Sequence, residues 1–116
     1  MWRDEALLLD MLLAATDARE FAAGLDLEAF KRSRLHQNAI IRSLEIVGEA
    51  ASQVSDEYRA QHSDLPWKQM IGMRNRLIHG YSKVSLEVVW EVVEKELPGL
   101  IGKIRPLVPP TQEDGA

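Results

Sequence analysis

Cysteine is absent from this 116-residue chain. That excludes disulfide bonds and thiolate metal sites, and it suits a reducing cytoplasm, where the protein is expected to reside. No apolar run is long enough to span a bilayer: the stretch from Ala6 to Ala15 is interrupted by Asp10 and follows acidic residues, so no membrane segment is expected. An excess of positive charge is lacking too. With 14 basic and 18 acidic residues the formal net charge is -4, so no global field attracts a polyanion and any nucleic-acid binding must be local. There is no glycine-rich phosphate loop, no HExxH and no carboxylate cluster at metal-ligand spacing, which argues against a nucleotide hydrolase or a metalloenzyme; neither a metal nor a cofactor is expected. No segment shows the period-2 alternation of β-branched residues that marks a half-buried strand. The fold class is therefore all-α.

An apolar content of 46% in a chain of this length fits one domain, small enough that dimer burial would help it. A first helix is expected from about Arg3 to Ala22, with Gly24 as its stop and Asp26 as a fresh N-cap. A long second helix follows from Asp26 to about Val54. Its residues Ile40, Leu44, Val47, Ala51 and Val54 recur at steps of four and three and so share one core-facing stripe. A polar connection with one short helical turn through Tyr58 leads to a third helix opened by Pro66 and Trp67, capped by Asp64 and ended near Gly80. Ser85 caps the last helix, which Pro98 should bend. From Arg105 the chain reads RPLVPPTQEDGA, without periodicity. The domain is thus placed at residues 1–105 and a flexible tail at 106–116. Four or five helices with short connections make an antiparallel bundle. Val88 and Val92 form a second apolar stripe on the last helix, open to two readings: a dimer interface or a generously buried core helix.

The chemistry-bearing segment is Met73-Arg74-Asn75-Arg76-Leu77-Ile78-His79-Gly80-Tyr81. An Arg with a His five positions later arises by chance in about one such chain in four, so that pair alone carries little. Asn75, Tyr81 and the helix-end setting add to it. Acid–base chemistry at a phosphate ester needs a group that moves protons near neutral pH and a fixed cation on the phosphate oxygens. His79 and Arg74 are those types, and Asn75, four residues before His79, can orient either one. Residues five apart on a straight helix point about 140° away from each other. Either the helix ends and swings His79 around, or a second protomer completes the site.

This R-x4-H-x-Y pattern resembles the HepT-like branch of the HEPN superfamily. The likeness extends over the long second helix with Arg42-Ser43-Leu44-Glu45-Ile46-Val47-Gly48-Glu49-Ala50, over Leu65-Pro66-Trp67 and over Val88-Val89-Trp90. The resemblance implies a HEPN-type helical bundle that acts as a homodimer. It further implies metal-independent cleavage of RNA at a site where two protomers meet, with Arg74 and His79 catalytic. It implies as partner a cognate minimal nucleotidyltransferase antitoxin, which transfers AMP to Tyr81 and silences the toxin.

Plainer readings stand beside these. His79 before a glycine can cap its helix against the dipole. Arg74 and Arg76 can be surface ion-pair partners, and His36 and His62 are expected at the surface. The basic residues Lys31, Arg34 and Arg42 are candidate RNA contacts, or simply a solvated face. Glu45 or Glu49 can steady Arg74 from the neighbouring helix. The alternative function is a non-catalytic helical dimer that serves as a binding platform for a nucleotidyltransferase.

Overall fold

The computed structural model describes residues 2–79 and 84–109. Helix α1 (Trp2–Ala22) is followed by the short α2 (Leu27–Lys31), then α3 (Arg34–Gln53), the short α4 (Asp56–Gln61) and α5 (Trp67–His79). The last helix is built of α6 (Leu86–Glu91), a π-helical turn (Val92–Glu96) and α7 (Leu97–Ile104), and a 3₁₀ turn (Arg105–Leu107) closes it. The described residues are helical and contain no strand, so the chain is an all-α bundle of four long helices with two short connecting ones.

The caps are where the side chains require them. Gly24 takes φ +81° beyond α1, a left-handed conformation that costs glycine little. Asp26 Oδ1 accepts from Ala29 N at 2.8 Å, Ser55 Oγ from Tyr58 N at 3.2 Å and Ser85 Oγ from Val88 N at 3.0 Å. Three expectations are corrected. The single long helix from Asp26 to Val54 is broken, because Ser33 turns extended and caps α3 as a new start. Gln37 then donates its amide to Phe30 O and Lys31 O, the open end of α2. The first carbonyl of α5 belongs to Pro66, which accepts from Met70 N at 3.0 Å, so the cap lies there and not at Asp64. Lastly, Leu107 and Val108 still pack against the core, so packed chain continues past residue 105. Residues 110–116 of the expected tail lie outside the described residues.

Helices α1 and α3 run antiparallel, since Arg3 reaches Gln53 O at 3.0 Å and the Asp4 carboxylate accepts from both Ser55 N and Ser55 Oγ. Those two bonds hold the Asp4 carboxyl below its usual 3.8. The core between them is built of Leu8, Met11, Ala15, Ala18 and Ala22 against Ile40, Leu44, Val47, Ala51 and Val54, all buried. The expected stripe on α3 therefore faces inward. Helix α5 rests on α3 and the last helix rests on α1. Between α5 and the last helix runs an apolar groove of about 210 Å³ with Leu44 and Val47 among its lining. Val88, Val92, Glu96 and Leu100 line it from the last helix, and Met70, Met73 and Arg76 from α5.

The wide turn in the last helix has a local cause. Pro98 has no N–H and its ring crowds the preceding turn. The helix answers with a π turn in which Leu97 N donates to Val92 O, five residues back.

Candidate active site

Helix α5 is anchored at its start. The Trp67 indole N–H donates to His62 O at 2.9 Å, Trp67, Met70, Met73 and Leu77 are buried, and together they fix the helix's rotation about its axis. Arg74 then leaves α5 on the side of α3. Gly48 of α3 makes this possible: a Cβ there would stand 2.2 Å from Arg74 Cβ and 2.6 Å from Met70 O. Only a glycine lets the two backbones approach so closely at this position.

One residue further along α3, Glu49 Oε1 meets Arg74 Nη2 at 2.5 Å. On the other arm of the guanidinium, Asn75 Oδ1 accepts from Arg74 Nη1 at 3.0 Å. Glu49 Oε2 in turn accepts from Gln53 Nε2 at 3.1 Å, and Gln53 Oε1 accepts from Arg3 Nη2 at 3.3 Å. A chain of polar contacts thus runs from the first turn of α1 to the arginine of the motif. The Arg74 side chain keeps 27% of its surface exposed, enough to meet a ligand while being held. A guanidinium has five N–H donors, and the two acceptors leave the others for an incoming anion.

His79 is the last residue of α5 and is exposed. The helix continues through it, so Arg74 and His79 leave α5 about 140° apart; the expected termination near Gly80 that would swing His79 around falls outside the described residues. Asn75 lies between the two in angle and bonds Arg74. Ile78, beside both, is an exposed large apolar residue at 40%. Tyr81, and Gly80 as helix terminator, lie outside the described residues.

The remaining candidates separate. Of the two glutamates, Glu49 meets Arg74, whereas Glu45 pairs with Arg42 at 3.4 Å. Lys31 is engaged with Glu87 of α6 at 2.9 Å, beside the Phe30–Trp90 ring contact at 5.2 Å. Arg34 and Arg42 are exposed. Arg76 lines the apolar groove. His36 and His62, expected at the surface, are half-buried: His36 Nδ1 lies 2.6 Å from Ser33 Oγ, and His62 stacks on Tyr58 at 4.3 Å. Sequence reasoning passed over Gly48, Gln53 and Arg3. A glycine inside a strong helical pattern was the available signal for the first, since such a residue usually marks close packing. Among the described residues no group of three or more His, Asp or Glu side chains is placed to hold a metal ion, and no helix is long and apolar enough to cross a membrane.

The ribonuclease HepT-like family matches residues 11–107. The probable ribonuclease HepT of Thermococcus cleftensis is 36% identical over 100 residues, covering 86% of this chain and 91% of that one. A candidate RNase of Methanocaldococcus jannaschii is 36% identical over 94 residues, 81% of this chain and 86% of its own. Another, from Caldanaerobacter subterraneus subsp. tengcongensis, is 38% identical over 89 residues, 77% and 80% respectively. No solved structure matches significantly. Since the family match spans most of the chain and includes α3, α5 and the last helix, the protein belongs to the ribonuclease HepT-like family.

Proposed function

We propose that the protein is a metal-independent endoribonuclease, the toxin of a toxin–antitoxin pair, whose working site forms where two copies meet. The observation that carries this is the state of α5: Arg74 is held by Glu49 and Asn75 with donors to spare, while His79 stands exposed at the helix end. In the reaction the 2′-oxygen attacks phosphorus, the 2′-O–P bond forms and the P–O5′ bond breaks. His79 accepts the 2′ proton or delivers one to the departing 5′-oxygen. Arg74 takes up the negative charge that grows on the non-bridging oxygens. Because Arg74 and His79 diverge on one helix, the Arg74 of one protomer and the His79 of the other are the pair that act together. The exposed Ile78 beside His79 supplies apolar surface for that assembly.

The reading includes control by a minimal nucleotidyltransferase, supported by the family and by the position of Tyr81 two residues after His79. The Tyr81 hydroxyl attacks the α-phosphorus of ATP, AMP becomes attached and pyrophosphate leaves. The new phosphodiester adds an anion to the motif, which in this reading competes with RNA for the donors of Arg74.

The test is cleavage of a defined RNA by the purified protein, free of any partner and in the presence of a chelator. Arg74→Ala and His79→Ala are each expected to lower the rate at least ~100-fold with nearly unchanged melting. Co-expression with the nucleotidyltransferase should add AMP mass to the peptide containing Tyr81, and Tyr81→Phe should escape it. Cleavage that chelator stops, or a His79→Ala variant that cuts at the parental rate, overturns the mechanism. Silencing without AMP on either protein favours the binding-platform alternative.

A further inference from the structure

We infer that Glu49 is a positioning residue for catalysis, which holds the Arg74 guanidinium in its phosphate-receiving orientation from the neighbouring helix. The inference rests on the ribonuclease reading of Arg74 but adds a residue outside the R-x4-H-x-Y segment. Three features converge on it. Gly48 removes the side chain that would push α5 away at Arg74. Glu49 Oε1 then takes Nη2 at 2.5 Å while Asn75 Oδ1 takes Nη1 at 3.0 Å, so both arms of the fork are fixed. Glu49 is itself held, through its second oxygen, by Gln53. An arginine at a helix surface samples many rotamers, and ordering it costs entropy when the ligand binds. With Glu49 in place that ordering precedes RNA binding, and the gain appears in the transition state, where the phosphate charge is greatest.

A carboxylate this close to a phosphate site also repels the substrate, so the two roles make opposite forecasts. If Glu49 positions, Glu49→Ala lowers kcat by about 10- to 100-fold with KM within about threefold of the parent. Glu49→Gln, which keeps an acceptor oxygen, then retains more activity than Glu49→Ala. If Glu49 only screens, Glu49→Gln raises activity, and the inference is overturned. A second readout needs no cleavage. The Arg74 guanidinium ¹⁵N resonances should show restricted rotation in the parent and averaged rotation in Glu49→Ala. Parental kcat and unchanged Arg74 resonances in Glu49→Ala would sink the positioning role and leave the ribonuclease reading intact. A parent that cleaves no RNA would instead remove the ribonuclease reading, and the resonances would still decide whether Glu49 holds Arg74. Glu49 is about half exposed, so the substitutions leave the core untouched, and coincident thermal melts check that.

Discussion

At the scale of single residues, two glycines show how much of the site depends on the close packing of α3 against α5. At Gly48 an added methyl would meet Arg74 Cβ and Met70 O, and backbone cannot swing aside. Gly48→Ala is therefore expected to cost about 1–3 kcal/mol in urea unfolding and to lower RNA cleavage by displacing Arg74. At Gly72, in the middle of α5, a Cβ would meet nothing within 4 Å. Gly72→Ala should instead stabilise the isolated chain by about 0.5–1 kcal/mol, the usual helix preference of alanine. Equal and small effects at both positions would contradict the geometry. The chemistry-bearing types Arg74, Asn75 and His79 were legible in the sequence because they lie close together along it. The choice of Glu49 over Glu45 was not, since it depends on the rotation of α3 against α5, which neither helix encodes alone.

At the scale of elements, the existence of the long helices was written in the apolar periodicity, and Ile40, Leu44, Val47, Ala51 and Val54 are buried as their spacing requires. The break at Ser33 was hidden because Lys31-Arg32-Ser33-Arg34 is as polar as a solvated helix face. What decides it is capping: Ser33 Oγ accepts from His36 N, Gln37 covers the end of α2, and buried Phe30 needs α2 turned toward Trp90. Ser33→Ala is expected to cost about 1 kcal/mol. A denaturant titration in which this variant unfolds at or above the parental midpoint would show that α2 and α3 do not depend on that cap.

At the scale of the whole molecule, a chain of 13.1 kDa buries one modest core and leaves Ile78 and Val88 exposed on different helices. The proposed dimer makes these two residues unequal. Ile78 adjoins His79, so if the two motifs meet across the assembly, Ile78→Asp should lower the mass seen in light scattering from two chains to one and abolish cleavage. Val88→Asp, at the groove, should leave the dimer and its activity nearly as they were if the motif faces alone make the interface. Monomeric parent protein that still cleaves RNA at micromolar concentration would rule out the shared site. None of this was decidable from composition, because a second apolar stripe has the same sequence signature whether it is covered by the same chain or by another.

The π turn also bears on how relatives are aligned. Val88, Val92, Glu96 and Leu100 are spaced four apart and line one groove, although in a regular helix each such step drifts by about 40°. The wide turn absorbs roughly one residue of that drift and keeps the four in line. A relative with a regular last helix would present the same wall with one residue fewer. Its sequence should therefore be matched to this one with a single-residue gap inside Val92–Glu96, and an ungapped alignment would pair its inward positions with the wrong side chains from Leu97 onward.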